Sequence, residues 1–399
     1  MAPYNSCILQ TTWNGRPAEL IYLDYNATTP IDPAVAEAML PYLYGDFGNP
    51  SSSHRLGSSA EQALEHARGQ VAGMLHAESS EIVFTSGGSE SNNMAIKGAA
   101  LTFKPKGRHI ITTVIEHPSV LNPCRFLEKN GYRVTYLPVD RYGAVDLDEL
   151  ERAFTPETIL VTVMHSNNET GTLQPIRDIA RLCRSRGVFF HTDASQSAGK
   201  VPLNVQELGV DALTLAGHKV YAPKGIGALY LAGGQRLEPL IHGAGHEQGR
   251  RAGTENVLLA AGLGAACELA ARTDSAPVGE LAAYFYGELQ RRYGGRLQLN
   301  GHPEQRLPNT LNLSILGTDG QQLLGSLQEV AASTGSACHS GTTEMSPVLS
   351  AMGVSEPAGR AAIRFSLGRY TTREEIDSVL SQLDTVLTAG QQRSLGVTE

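Results

Sequence analysis

The strongest constraint on the fold is a regular alternation between residues 80 and 232, where short apolar runs rich in β-branched residues are separated by amphipathic helical stretches. This alternation is typical of a mainly parallel α/β sheet, because parallel strands are joined by crossovers that usually contain a helix. The predicted strands are 81–85, 109–114, 133–138, 158–164, 188–191, 212–215 and 227–231. The expected fold class is therefore α/β, with a mainly parallel seven-stranded sheet.

The length of 399 residues predicts two domains, because single cores stop growing at roughly 250–300 residues. We expect a frayed extension over residues 1–19, a large domain over 20–258 and a small α+β domain over 259–399. The small domain begins with a long Ala/Leu-rich helical segment, continues with strand-like runs at 309–315 and 361–367, and ends in a helix from Arg373.

Composition excludes several classes of protein. Hydrophobic residues at 41% and charged residues at 18% are typical of a soluble globular chain, and no apolar run approaches the ~20 residues of a membrane span. A net charge of −8 without a basic block argues against direct binding of nucleic acid. The five cysteines are irregularly spaced, which excludes a disulfide framework and any sequence-obvious metal site. We therefore expect a cytoplasmic location and no metal.

Polar clusters follow the predicted strands at the point where each strand ends. In an open α/β sheet the carboxyl ends of the strands form the edge where ligands bind, so these distant clusters are expected to converge. The clusters are SGGSESN at 86–92, EH at 116–117, SNNE at 166–169, DASQ at 193–196 and GHK at 217–219.

Lys219 and Asp193 form the informative pair among these residues. A lysine amine can condense with the aldehyde of pyridoxal phosphate, and a carboxylate can keep the pyridine nitrogen protonated so that the ring accepts electrons. Gly88 and Ser89, at the start of a helix, offer backbone N–H groups to a phosphate. His117 could stack on the ring. The pattern predicts an enzyme that depends on pyridoxal phosphate.

Each of these residues also has an ordinary structural interpretation. The glycine-rich turn could be a plain helix start, and Asp193 could be a helix N-cap. His117 could simply be hydrogen-bonded in place, and Lys219 could be solvated. The amides of Asn168 and Gln196 could serve turns rather than a ring oxygen. The joint interpretation is favoured because all of these residues belong to one sheet edge.

Together the motifs resemble those of the cysteine desulfurases, which are pyridoxal phosphate enzymes of fold type I and relatives of the class V aminotransferases. The resemblance extends from about residue 20 to 370. The matching stretches are YLDYNATTP at 22–30, TSGGSESNN at 85–93, EH at 116–117, NNETG at 167–171, DASQ at 193–196, GHK at 217–219, RAGTEN at 251–256, GSAC at 335–338 and IRFSLG at 363–368.

The resemblance implies a role for each candidate residue. Lys219 would attach the cofactor and move protons, Asp193 would bind the pyridine nitrogen, and His117 would stack on the ring and take part in catalysis. The remaining implied contacts are Gly88, Ser89 and His218 to phosphate, Asn168 and Gln196 to the ring oxygen, and Thr254 to the phosphate of a neighbouring subunit. The last contact implies a homodimer.

Two further residues are expected to act on the substrate. Arg364 would bind the carboxylate of L-cysteine, together with Asn168, since a planar guanidinium suits bidentate binding; its alternative is a surface or interface ion pair. Cys338 lies in a stretch of small polar residues, which favours a loop over a core position. The resemblance makes Cys338 the nucleophile that receives sulfur as a persulfide.

The predicted function is cysteine desulfuration, giving alanine and an enzyme persulfide for a protein acceptor in iron–sulfur assembly or tRNA thiolation. Ala216 and Gln248 stand where the family usually has a hydroxyl residue and an arginine, which could weaken cofactor binding. His339 resembles the selenocysteine lyases, so selenocysteine is the alternative substrate. A non-catalytic relative that only binds a sulfur scaffold is less favoured, and a plain aminotransferase would have no use for Cys338.

Overall fold

The structure, a computed structural model, describes residues 20–233, 235–334 and 345–395, with side chains up to residue 388. In these ranges the strands are β1 (Ile21–Tyr22), β2 (Ile82–Thr85), β3 (His109–Thr113), β4 (Arg133–Leu137), β5 (Thr158–Thr162), β6 (Phe189–Asp193), β7 (Ala212–Ala216), β8 (Gly227–Leu231), β9 (Leu297–Asn300), β10 (Thr310–Ile315), β11 (Val330–Ala331) and β12 (Ala362–Ser366). The α-helices are α1 (Pro33–Tyr44), α2 (Arg55–Leu75), α3 (Gly88–Phe103), α4 (Pro118–Lys129), α5 (Leu147–Ala153), α6 (Ile176–Ser185), α7 (Val205–Leu208), α8 (Val257–Arg272), α9 (Ala276–Tyr293), α10 (Gly320–Ser326), α11 (Pro347–Ala351), α12 (Glu356–Arg360) and α13 (Arg373–Leu395).

The predicted mainly parallel seven-stranded sheet is confirmed. Its strand order is β2-β8-β7-β6-β5-β3-β4. β8 pairs antiparallel with both of its neighbours, and the other adjacent strands pair parallel. As a result β2 runs in the same direction as β7, and the carboxyl ends of β2, β3, β5, β6 and β7 share one edge.

The inner strands are buried at every position, because helices cover both faces of the sheet. Successive residues of a strand therefore pack into apolar clusters on opposite faces of the sheet. Ile111 and Phe190 belong to one apolar cluster, while Ile110 and Phe189 belong to the cluster on the other face. This two-sided burial explains why the sequence shows continuous apolar runs rather than alternation.

The chain divides into two compact units. Among the described residues, the large unit comprises Thr29–Asn168 and Thr172–Thr273, and the small unit comprises 20–28, Glu169–Gly171 and the residues from Asp274 onward. This division differs from the predicted domains 20–258 and 259–399 at both ends. Residues 20–28 group with the small unit, and α8 groups with the large one. The predicted extension over residues 1–19 lies outside the described residues.

Packing explains both differences. A Cβ on Gly264 of α8 would come within 2.7 Å of the Cα of Ala67 on α2, so the two helices of the large unit approach closely at a glycine. In the small unit β1 pairs parallel with β11. The rest of that unit is an antiparallel sheet in the order β12-β10-β9, with Phe285, Phe365 and Leu380 in its core. Across the described ranges no helix is both long and apolar enough to cross a membrane.

Candidate active site

Asp193 is the last residue of β6, and its carboxylate is held by two donors. Asn92 donates from Nδ2 to Oδ2 at 2.7 Å, and the backbone N–H of Ser195 donates to Oδ1 at 2.9 Å. The residue is only 8% exposed. The alternative of a helix N-cap is not realised, because α7 has Asn204 as its N-cap. Asp193 is therefore a fixed, mostly buried carboxylate at the edge formed by the carboxyl ends of the strands.

His117 follows β3 and is the N-cap of α4. Its Nδ1 accepts a hydrogen bond from the backbone N–H of Ser119 at 3.1 Å and lies 2.7 Å from Ser119 Oγ. The histidine is thus hydrogen-bonded in place, as the ordinary interpretation expected, and the residue is exposed in the single chain. Desolvation lowers the pKa of His117; Asp193 acts to raise it and Lys219 to lower it. Asp193 and Lys219 are therefore close enough to His117 to influence its pKa.

Lys219 ends a 3-10 turn over Gly217–Lys219, directly after β7, and is half-buried. A Cβ on Gly217 would lie 2.9 Å from the carbonyl oxygen of Ile226, so only glycine lets the turn lie so close to the residue that precedes β8. Burial lowers the pKa of His218 to about 4, and Lys219 adds to the effect. His218 is therefore neutral near pH 7.

The same turn is fastened to the segment before α1. The carbonyl oxygen of His218 accepts from the backbone N–H of Thr29 at 2.9 Å and from its hydroxyl at 3.1 Å. Thr29 Oγ1 in turn accepts from the backbone N–H of Tyr221 at 2.9 Å. The turn that carries Lys219 is thus held by hydrogen bonds of His218 and Tyr221 to Thr29.

The start of α3 is suited to a phosphate. Gly87 has a φ of +149°, and α3 begins at Gly88 without a side-chain cap, so the first N–H groups of the helix have no intrahelical acceptor. A Cβ on Gly88 would lie 3.1 Å from Ser195 Oγ and 3.2 Å from the Cβ of Ala216. The absence of a side chain at Gly88 therefore lets the start of α3 lie close to Ser195 and to Ala216, which is a departure from the family pattern.

The two amides expected at the ring oxygen lie on separate loops of this edge. Gln196 is buried, and its Oε1 accepts from Lys200 Nζ at 3.1 Å. Asn168 follows Asn167, which donates from Nδ2 to the carbonyl oxygen of Ile115 at 3.2 Å and so ties the loop after β5 to β3. Asn168 itself is half-buried. Their contacts to a ring oxygen stay predictions.

Sequence reasoning missed Glu116, which is fully enclosed at the same edge. Its Oε1 accepts from Thr113 Oγ1 at 2.8 Å and from the backbone N–H of Met164 at 2.9 Å, so the side chain bridges the ends of β3 and β5. Burial raises the pKa of Glu116 to about 8, and Asp193 acts in the same direction. The available signal was a carboxylate directly before His117 at a strand end.

Arg364 lies on β12 in the small unit and forms an ion pair. Its Nη2 donates to Asp24 Oδ1 at 2.6 Å, and the two side chains are 8% and 19% exposed. The alternative of an ion pair is therefore realised, although the pair is largely buried rather than on the surface. Glu169 lies near enough for Arg364 to lower its pKa, against a larger upward effect of burial.

Thr254 is exposed on a segment that is anchored to the large unit. Arg251 pairs with Glu90 at 2.8 Å, and Glu247 is buried against Arg68, with Nη1 to Oε2 at 2.7 Å. Gln248, the second departure from the family pattern, is exposed with a φ of +58°. The contact of Thr254 with a neighbouring subunit stays a prediction.

Cys338 and His339 lie outside the described residues. Among the described cysteines, Cys124, Cys183 and Cys267 are buried. Burial raises the pKa of Cys124 and of Cys267 to about 12, and it also raises the pKa of Cys183. Because the thiolate is the nucleophile, these three thiols are poorly suited to receive sulfur.

The residues at this edge fit pyridoxal phosphate. The start of α3 at Gly88, which has no side-chain cap, suits the phosphate; the doubly hydrogen-bonded Asp193 suits a protonated pyridine nitrogen; and the turn after β7 places Lys219 at the same edge.

Comparison with known proteins decides the family. The family described as Aminotransferase class-V matches residues 21–379. The chain belongs to this family. Within it, the chain is 48% identical over 372 residues to a protein named cysteine desulfurase IscS from Dictyoglomus turgidum, covering 92% of this chain and 94% of that one. It is 47% identical over 363 residues to cysteine desulfurase IscS from Rickettsia prowazekii, covering 90% and 88%.

Solved structures agree with the class-V assignment. A NifS-like protein superposes with a TM-score of 0.86 at 37% identity, covering 92% of this chain and 99% of that one. A structure described as SspA in complex with cysteine superposes with a TM-score of 0.80 at 41% identity, covering 88% and 100%. The fold and the dependence on pyridoxal phosphate predicted from the sequence are confirmed for this family.

Proposed function

We propose that this chain is a cysteine desulfurase, which removes sulfur from L-cysteine, releases L-alanine and carries the sulfur as a persulfide on Cys338. The observation that carries the proposal is the arrangement of Asp193 and Lys219 at one sheet edge, in a chain whose relatives are named cysteine desulfurase. The SspA structure, described as a complex with cysteine, supports the choice of substrate.

The bound cofactor would supply an electron sink that makes the α-proton and the carbon–sulfur bond of the substrate labile. Asp193, fixed by Asn92 and Ser195, would hold the pyridine nitrogen protonated. Lys219 Nζ would take the α-proton and return it at a later step. Gly88, Ser89 and His218 would hold the phosphate, and Gln196 and Asn168 would orient the ring.

Arg364 would bind the substrate carboxylate. Its Nη2 is already oriented by Asp24, and a guanidinium has further N–H groups in the same plane for a second carboxylate. This arrangement supports recognition of an amino acid by its carboxylate, which is common to cysteine and selenocysteine. Selectivity between the two substrates therefore depends on the chemistry at the sulfur or selenium atom.

Cys338 would act at the substrate sulfur. Its thiolate forms a sulfur–sulfur bond while the carbon–sulfur bond breaks, and the electron pair of the broken bond stays with the substrate carbon. That carbon takes up a proton and leaves as alanine, so atoms and charges balance. The raised thiol pKa values of Cys124, Cys183 and Cys267 favour Cys338 for this role.

We further propose a homodimer in which Thr254 contacts the phosphate bound by the neighbouring subunit, in keeping with its exposure on the single chain. The sulfur acceptor would be a protein of iron–sulfur assembly or of tRNA thiolation, and the location would be the cytoplasm.

The deciding experiment measures products from cysteine and selenocysteine side by side. With a thiol reductant present to release the persulfide sulfur as sulfide, we expect alanine and sulfide from cysteine with the wild-type chain, a loss of both with Cys338→Ala, and wild-type rates with Cys7→Ala as the matched control. Undiminished sulfide release by Cys338→Ala would remove Cys338 from the reaction. Activity on selenocysteine alone would support the alternative that His339 favours, and a protein that stays colourless with added pyridoxal phosphate would support the non-catalytic relative.

A further inference from the structure

A continuous row of hydrogen bonds joins Asp193 to His117 through two residues without an assigned role. Asn92 Nδ2 lies 2.7 Å from Asp193 Oδ2 and 2.8 Å from Ser119 Oγ, and Ser119 Oγ lies 2.7 Å from His117 Nδ1. Asn92 is on α3 and is 0% exposed, and Ser119 is in the first turn of α4. The row therefore connects groups that follow three different strands of the sheet.

The chemistry of Asn92 fixes the direction of these hydrogen bonds. An amide nitrogen has two N–H donors and no acceptor, so Asp193 Oδ2 and Ser119 Oγ must both accept. The reverse orientation of the amide would place its oxygen against a carboxylate oxygen, and two acceptors would face each other. Because Oδ1 of Asp193 accepts from the N–H of Ser195, neither carboxylate oxygen needs a proton.

The same logic assigns the hydrogen on His117. Ser119 Oγ accepts from Asn92, so its own hydrogen is available for His117 Nδ1, which also accepts from the backbone N–H of Ser119 at 3.1 Å. A ring nitrogen that faces two donors carries a lone pair, which leaves the ring hydrogen on Nε2. Protonation at Nδ1 would deprive both donors of their acceptor.

We propose that Asn92 and Ser119 are positioning residues, which hold Asp193 as an accepting carboxylate and His117 as the neutral tautomer with its hydrogen on Nε2. His117 then enters the reaction as a hydrogen-bond donor rather than as a base. The catalytic consequence rests on the proposed function, whereas the tautomer is a property of the protein itself.

Some of the charged and titratable groups around His117 raise its pKa, and others lower it. Lys219 and desolvation oppose a second proton on the ring, and Asp193 favours one. His218, whose pKa is lowered in part by His117, is a further neighbour. Desolvation is the largest of these effects, so the balance lowers the pKa of His117 and agrees with a neutral ring.

Nitrogen NMR of the full chain tests the tautomer directly. The protein is labelled with 15N-histidine and measured with bound pyridoxal phosphate and again after its removal, and the His117 signals are identified by their loss in His117→Gln. We expect a protonated Nε2 and an unprotonated Nδ1 in both states. A hydrogen on Nδ1 in the wild-type protein would overturn the proposal.

Variants separate positioning from a general structural role. Ser119→Ala should allow the Nδ1–H tautomer to appear and should shift the titration of His117 upward, while Ser119→Thr, which keeps the hydroxyl, should restore the wild-type pattern. Asn92→Ala should change the pH dependence of the visible absorption of the bound cofactor, because Asp193 loses one donor. Asn93→Ala is the control, since Asn93 donates to the carbonyl oxygen of Ser89 and not to this row.

Identical spectra for Asn92→Ala, Ser119→Ala and Asn93→Ala would contradict the proposal. The failure of the proposed function has a different signature. A chain with the expected His117 tautomer that releases no alanine from cysteine would refute the desulfurase function and leave the positioning row intact.

Discussion

In the large unit the candidate catalytic side chains lie at or just after the ends of strands, whereas in the small unit Arg364 lies within β12. Asp193 and His117 are held by neutral donors, namely an amide, a hydroxyl and backbone N–H groups. Arg364 is held by the charge of Asp24. The neutral donors around Asp193 and His117 suit proton transfer and the withdrawal of electrons into a bound cofactor. The charged pair of Arg364 and Asp24 suits the binding of a charged group. Substitutions in the large unit should therefore affect turnover, and those around Arg364 should affect affinity.

The largest effect is expected for Lys219→Ala. Loss of the proton-moving amine should lower kcat for cysteine by about 10³-fold or more, because a positioned general acid–base group contributes roughly 10²–10⁴-fold. Steady-state alanine release measures this change. Lys224→Ala is the matched control, since Lys224 is exposed on the following turn. If Lys219→Ala kept more than a tenth of wild-type kcat, the assignment of turnover to the large unit and of affinity to Arg364 would be wrong.

Arg364→Lys should act on affinity. The point charge of lysine cannot replace the planar guanidinium at both Asp24 and the substrate, and disruption of a buried charge pair costs about 2 kcal/mol or more. The KM for cysteine should therefore rise by roughly 30-fold, with a smaller change in kcat. Arg360→Lys, in the exposed pair with Glu356, is the control. An equal loss in kcat with an unchanged KM would place Arg364 in the chemical step instead.

Glu116→Gln should change how stability depends on pH. The pKa of Glu116 is raised to about 8 in the folded protein, mainly by burial. Between the ordinary value and about 8, the folded state binds a proton that the unfolded state has lost, so this group makes stability fall as pH rises. From pH 6 to pH 7 the fall attributable to Glu116 should be about 1.4 kcal/mol.

The measurement is urea unfolding of wild type and Glu116→Gln at both pH values, because the difference between the two proteins cancels the titration of all other groups. Glu116→Gln should not show the part of the fall in stability between pH 6 and pH 7 that is due to Glu116. Equal pH dependence of the two proteins would mean that Glu116 is ionised in the folded state.

The smallest effect is expected for Gly88→Ala. The added Cβ would lie 3.1 Å from Ser195 Oγ and 3.2 Å from the Cβ of Ala216, so its neighbours must shift by a few tenths of an ångström. We expect a several-fold loss of affinity for pyridoxal phosphate, since modest overpacking costs about 1 kcal/mol. Fluorescence titration of the cofactor-free protein measures it. The double variant Gly88→Ala/Ser195→Gly should recover the affinity, and no recovery would mean that Ser195 is not the residue that crowds the added Cβ.

The sequence was sufficient for the parts of the fold that depend on local pattern. The predicted strands of the large sheet agree with β2 to β8 within a few residues, because buried parallel strands appear as continuous apolar runs. The long Ala/Leu-rich segment proved to be two helices, α8 and α9, with Pro277 at the start of the second. No strand was predicted at β9, whose partly buried residues give a weak pattern.

Contacts between distant residues could not be predicted in the same way. The pairing of Asp24 with Arg364 joins residues 340 positions apart, and neither residue carries a local signal for the other. Glu116 was visible beside His117, but its raised pKa depends on burial between β3 and β5. Asn92 lay within a recognised motif, while its contact with Asp193 depends on how α3 packs on the sheet.

The most direct test of the cofactor site is to locate the point of covalent attachment. The protein loaded with pyridoxal phosphate is reduced with borohydride and digested, and the modified peptide is sequenced by mass spectrometry. The fixed turn after β7 predicts that the cofactor is attached at Lys219. Attachment at Lys200 or Lys224, or a protein that binds the cofactor without any covalent link, would contradict this assignment.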